Sequence, residues 1–277
     1  MRKLLSANFS RLKKDKIFWI CLAAVLVLSV VLTLSTCREA SSGLYDYDYF
    51  LDDAYFNLAP LIGLFIAIFT SLFMGTEYSD GTVRNKIIVG HTRLGIYLAN
   101  FAVCFSAGLA FTATWLIGGL IGIPFLGTWQ LGAQGLAQYV LIAIFLAVAW
   151  TGIMVLISTV STNKALTAVG TILIFFVLII AATAIYNRLE EPETISGMMM
   201  TVDGTIQMSD PEPNPLYISG AARTVWEWIL NIIPTGQGIL MANHEIAHPI
   251  IELVGSALIT ISTTLLGIFA FRRKNLK

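Results

Sequence analysis

The stretch "QYVLIAIFLAVAWTGIMVLISTV" (Gln138–Val160) is followed, after only "STNK", by "ALTAVGTILIFFVLIIAATAIY" (Ala165–Tyr186). Neither run holds an Asp, Glu, Lys, Arg or His, and each exceeds the about 20 residues a helix needs to cross a hydrocarbon core. Lipid offers no partner for a bare peptide group, so a spanning segment must be a helix or part of a closed barrel. The alternation of a barrel strand is absent, which leaves two helices joined by a tight turn. Four more runs of this kind lie outside the pair, roughly Ile17–Thr36, Leu58–Gly75, Leu98–Gly122 and Pro249–Phe271. The chain of 277 residues is 56% hydrophobic and 12% charged, with a mean hydropathy of +0.77, far more apolar surface than one soluble core requires. The expectation is an all-α integral membrane protein with six transmembrane helices.

Basic residues set the orientation. Arg2, Lys3, Arg11, Lys13, Lys14 and Lys16 precede the first run; Arg84, Lys86 and Arg93 follow the second; Lys164 follows the fourth; and Arg272, Arg273, Lys274 and Lys277 follow the last. Thus 14 of 17 Lys and Arg share one side, leaving Arg38, Arg188 and Arg223 opposite. The positive-inside rule then makes both termini cytoplasmic. The net charge of zero hides an acidic outer side, with Glu39, Asp46, Asp48, Asp52 and Asp53 after the first run. That run is read as a retained span rather than a cleaved leader, being longer than an h-region and lacking an A-x-A site. Cys21, Cys37 and Cys104 form no disulfide framework.

Shorter features lie between the runs. Leu5, Phe9 and Leu12 fall at helical spacing among basic residues, which predicts an amphipathic helix over 1–16 on the inner membrane surface. "GLYDYDYFLDDAYF" mixes Tyr45, Tyr47, Tyr49 and Phe50 with acids, as an interfacial aromatic belt does; a cation-attracting vestibule is the alternative. Ala102, Ser106, Ala110, Thr114, Gly118 and Gly122 put a small residue at every fourth position of the third span, the mark of close helix packing against this chain or a second copy. The long outer loop, 187–248, contains "MMMTVDGTIQM", read as a hairpin turning at Asp203-Gly204. Its four methionines are taken as apolar packing rather than Cu(I) ligands. "TVWEWILNIIPTGQGILM" is apolar but too short to span and is broken by Pro234, which predicts interfacial or re-entrant helices before the last span.

His244, Glu245 and His248 spell H-E-x-x-H, which on a helix would place two zinc ligands beside a water-activating carboxylate. Pro249 argues against it, because the residue before a proline is pushed out of the α region; His248 then caps the last span. Within the six runs the one ionisable group of these kinds is Glu252, so there is no evident ion-coupling machinery. A P-loop is absent as well, and Gly-Lys never occurs. Work for uphill transport has to come from another polypeptide. No catalytic residue, cofactor or nucleic-acid partner is expected.

The second loop, "GTEYSDGTVRNKIIVGHTRLGIY" (Gly75–Tyr97), opens with Glu77, turns at Asp80-Gly81 and continues into a short helix capped by Thr82, with Ile87 and Ile88 on one side. Such a projecting helix suits a cytoplasmic partner. Glu77, Gly81-Thr82 with Arg84 and Lys86, and Gly90-x-x-Arg93 with Tyr97, placed after the second of six spans, resemble the permease subunits of export-type (type-two) ATP-binding-cassette transporters. "NIIPTGQGI" looks like Gram-positive bacterial members. Asn100 departs from the pattern, many relatives having Lys there. The resemblance implies one permease domain over 1–277, with a coupling loop over 76–94 in which Glu77, Tyr78, Gly81, Thr82, Arg84, Asn85, Lys86 and Arg93 meet a separate ATPase. It further implies a second permease copy or homologue as partner, in a bacterial cytoplasmic membrane. A membrane zinc protease using His244, Glu245 and His248, and a scaffold that transports nothing, are the competing expectations.

Overall fold

A computed structural model describes residues 2–42, 49–161, 163–200, 206–208 and 210–274. Six of its helical segments are long and apolar enough to cross a membrane. Helix α1 (Arg2–Lys14) leads through Asp15 into α2 (Lys16–Ser42), the first span. Helix α3 (Leu51–Tyr55) and a 3-10 turn enter α4 (Ile62–Ser79), the second span; α5 (Thr82–Ile88) follows, then α6 (Arg93–Gly119), which runs through a 3-10 turn into α7 (Ile123–Leu126). Spans four and five are α8 (Gly132–Val160) and α9 (Lys164–Leu189). Two small antiparallel pairs follow, β1 (Thr194–Ile195) with β4 (Glu212–Pro213) and β2 (Met198–Met200) with β3 (Ile206–Met208). Helices α10 (Gly220–Ile232) and α11 (Pro234–Ala242) precede the last span, α12 (Pro249–Arg273).

Hydrophobicity does not drive spans together in lipid, so shape and hydrogen bonds must do so. The second span is the most enclosed, while the fifth and sixth turn most of their surface outward. Aromatic rings fill its surroundings: Phe69 packs against Phe18, Phe73 and Phe111, and Trp115 donates its indole N–H to the Tyr55 carbonyl at 2.9 Å. The Gly118–Gly122 end of the small-residue stripe meets this chain's own first span. A methyl on Gly118 would lie 2.8 Å from the Ser29 hydroxyl, and the same hydroxyl donates to the Trp115 carbonyl at 2.8 Å.

Several details depart from the sequence reading. The first span runs on to Ser42, so Cys37 is buried inside a helix instead of lying beyond one. In α1 the inward face is Leu4, Asn8 and Leu12, with Leu5 and Phe9 half-buried beside it. The expected stripe is thus rotated by about one residue, and it carries a polar Asn8. The stretch 76–94 is mostly helix, because α4 continues to Ser79 and α6 begins at Arg93. Strands β2 and β3 flank the expected hairpin, whereas Tyr45, Tyr47 and the Asp203-Gly204 turn lie outside the described residues.

Before the last span, Pro234 bends the chain and separates two unlike helices. Helix α10 exposes Val225, Trp226 and Trp228, as an interfacial helix does, whereas Pro234 to Met241 of α11 are all buried. The α10–α11 pair is therefore a V whose second arm re-enters the bundle. Gln237 pins it: its amide N–H groups reach the carbonyls of Asn231 (2.9 Å) and Glu252 (3.0 Å), and its oxygen accepts from Ser256 (2.8 Å).

Candidate functional site

Because α4 extends past the apolar run, Glu77 stands one turn beyond Phe73 on a helix and points into the protein, 2% exposed. An ionised carboxylate in such a place needs charge and hydrogen-bond partners. They come from three other elements. Its Oε1 lies 2.6 Å from the Arg11 guanidinium of α1 and 2.5 Å from Lys86 Nζ of α5. Its Oε2 accepts from the Asn100 amide of α6 at 2.9 Å. Asn8 closes the ring, donating to Asn100 Oδ1 at 2.7 Å and accepting from Lys86 at 3.0 Å. Arg11 also donates to the Phe73 carbonyl and stacks 3.9 Å over the Phe73 ring. One carboxylate thus ties α1, the second span α4, the short loop helix α5 and the third span α6 together.

The loop helix has two unlike sides. Gly81, at φ 67° in the left-handed region, is its N-cap and allows the reversal from α4. Thr82, expected as the cap, instead donates its hydroxyl to the Glu77 carbonyl at 2.9 Å. Val83 and Lys86 face inward, while Arg84 and Asn85 are exposed. Ile87 and Ile88 do not share a side: Ile87 is half-buried, and Ile88 and Val89 stand 72% and 78% exposed at the tip. Of the eight residues singled out, only Thr82, Arg84 and Asn85 are exposed; Glu77, Lys86 and Arg93 are engaged within the chain.

Arg93 opens α6 and grips the end of the last span, donating to the carbonyls of Phe271 (2.7 Å), Arg272 (3.2 Å) and Lys274 (2.6 Å). Guanidinium against the final carbonyls of a helix suits the negative end of its dipole. Lys274 in turn reaches the carbonyls of Thr159 (2.5 Å) and Ser161 (2.7 Å), with Nζ 4.0 Å from the centre of the Tyr78 ring. Loss of water around this amine pushes it down to about 8 from its usual value near 10.5.

At the other end of the bundle the H-E-x-x-H residues diverge. No helix covers 244–248, and His244 has a φ of 60°. Its imidazole lies 3.2 Å from Asp53 of α3, between the rings of Tyr139 and Phe56. Glu245 accepts from the Tyr186 hydroxyl of α9 at 3.0 Å, and burial, with a smaller push from Glu190, raises its carboxyl. His248 occupies the N-cap of α12, with Pro249 at the first helical position. Among the described residues no three His, Cys, Asp or Glu converge as metal ligands. We therefore expect purified protein to bind no stoichiometric zinc by elemental analysis. One zinc per chain, lost in His244→Ala/His248→Ala, would reinstate the protease.

Sequence reasoning missed Asn8, Arg11, Asn100 and Lys274 as site residues. Asn8 left a trace, a polar residue four after Leu4 and four before Leu12 on what is otherwise an apolar face. Comparison with known proteins adds one match: a family model described as "ABC-2 family transporter protein" covers residues 4–182, more than half of the chain. No curated protein matches.

Proposed function

Since the chain belongs to the ABC-2 family of transporter proteins and is the multi-pass permease component of such a transporter, we propose that it serves export, driven by ATPase subunits on separate chains. The observation that carries this reading is the four-element junction at Glu77, beside an exposed loop-helix tip of Arg84, Asn85, Ile88 and Val89. A partner pressing on that tip moves Lys86, and through Glu77 the displacement reaches α1 and spans two and three. Packed, hydrogen-bonded elements move as units rather than deforming continuously, which suits exchange between inward-open and outward-open states. This sequence holds no P-loop, which supports placing hydrolysis on the partner.

The basic residues clustered at the Glu77 end support a cytoplasmic placement of both termini, and the likeness of "NIIPTGQGI" to Gram-positive members supports the cytoplasmic membrane of a bacterium. A second permease, the same chain or a homologue, completes the path.

The docking face predicts an ordering of variants. Arg84→Glu and Ile88→Asp are expected to weaken recovery of a co-expressed ATPase in a pull-down about tenfold or more, the effect of losing about 1.4 kcal/mol or more at an interface centre. Lys13→Glu, an exposed charge on the same side, is expected to change recovery less than about threefold. Equal losses for all three variants would reduce the tip to part of a general basic surface.

A further inference from the structure

We infer that Lys274 is a second transmission link, a positioning residue that passes movement of the α4–α6 connection on to the turn between spans four and five. The inference rests on the reading that α5 is the driven element and extends it to helices that Glu77 does not touch. Glu77 gathers α1, α4, α5 and α6, but none of its partners belongs to α8, α9 or α12.

Besides the direct packing of α4 on α8 and α9 and of α6 on α8 and α12, one polar connection to those helices runs through a single residue. Arg93, four residues past the exposed Val89, holds the Lys274 carbonyl together with the last carbonyls of α12. The Lys274 side chain then leaves α12 and donates to Thr159 and Ser161, at the end of α8 and in the turn before α9. The Tyr78 ring lies under the same ammonium and against Phe271, so α4 presses on the link as well. Elements α4, α6, α8 and α12 meet at this one residue, α6 through its backbone carbonyl and α4 and α8 through its side chain, and α9 starts three residues beyond Ser161.

Charge explains why the link can let go. Against the amine lie the Tyr78 ring from α4 and the Thr159 and Ser161 carbonyl oxygens from the α8 end, while Arg93 of α6 holds the backbone carbonyl of the same residue and Arg273 lies over the Phe269 ring. Among the described residues no carboxylate pairs with it, and nearby Glu77 is taken up by Arg11 and Lys86. The cation is held by dipoles and a ring face at the cost of its water, and that burial lowers its pKa. Opening the inner mouth returns that water. The contact therefore closes the mouth without bolting it.

The test needs no ATPase, so its outcome is separable from the docking experiment. In the full chain, in lipid nanodiscs, with Cys21, Cys37 and Cys104 replaced by Ala, spin labels go on the exposed Val89 and Val160. At pH 7 the distance distribution is expected to be narrow. Raising the pH to about 9.5, through the value near 8, removes the charge and is expected to widen it roughly twofold. Lys274→Arg, whose charge does not titrate, should stay narrow throughout, and Lys274→Met should be wide at both values. A wild-type width independent of pH, or a Lys274→Arg protein that widens just as the wild type does, overturns the proposal. So does a Lys274→Met protein as narrow as wild type at pH 7. The wild-type titration is informative even if a variant fails to fold.

Discussion

Glu77→Lys is expected to leave little or no monodisperse protein after extraction, the largest loss among single substitutions at this end of the bundle. It removes the carboxylate that Arg11, Lys86 and Asn100 share and puts a third cation between the first two. Breaking a buried ion pair by deleting one partner costs about 3–5 kcal/mol, a large part of a total stability of about 5–15 kcal/mol, and like-charge repulsion adds to it. Glu77→Gln keeps the shape and the Asn100 bond and should be milder, yet still measurably destabilised in a thermal melt followed by size exclusion. Adding Lys86→Glu to Glu77→Lys restores one pair with reversed sign and should recover part of the yield. No recovery in that double variant, with Glu77→Gln as stable as wild type, would mean that the junction holds nothing together.

Gly236→Ala is expected to be nearly as damaging, at the opposite end of the molecule. A methyl there would run into the Leu230 carbonyl of α10, backbone that cannot turn aside as a flexible side chain could. Overpacking costs typically about 1–3 kcal/mol and more when the obstacle is rigid, so the V of α10 and α11 should open. Gln237→Leu attacks the same element by another route. It strips the Ser256 hydroxyl and the Asn231 carbonyl, in the last turn of α10, of their partner, at about 1–3 kcal/mol for each buried group left unsatisfied. Both variants should melt early while association with an ATPase, measured on the surviving folded fraction, stays near wild type. A normal melt for Gly236→Ala would mean that α11 does not pack as described.

How much of this was readable in advance depends on the range of each interaction. The six spans were legible because apolar length alone reports them, and Pro234 announced the bend of the V. Pro249 was enough to forbid a helix through His244 and His248, and none forms. The junction was not legible. Arg11 and Lys274 were counted only as basic residues obeying a side preference, a statistic that does not distinguish a solvated charge from a structural donor, and Lys86 and Arg93 were read as contacts to an ATPase, whereas both are engaged within the chain. Glu77 was read as the start of a loop because the apolar run stops before it, although helix α4 does not. Its partners are 66 residues upstream and 23 downstream on other helices, and only the rotation of α1, one residue from the expected stripe, brings Asn8 and Arg11 to it. The outer acids were likewise read as a belt or vestibule. Asp52 instead accepts the backbone N–H groups of Gln130 and Leu131 ahead of α8, and Asp53 holds His244.

The most direct measurement of the central claim, that the α5 tip is where a separate ATPase takes hold, is photo-crosslinking in the native membrane. A benzophenone amino acid replaces Ile88 in one strain and Lys13 in another, and adducts are identified by mass spectrometry after illumination. The expected result is a light-dependent adduct at position 88 to a polypeptide carrying a P-loop, lost when Arg84→Glu is added, with no such adduct from position 13. Absence of that adduct at position 88, or an equal yield from both positions, would contradict the claim.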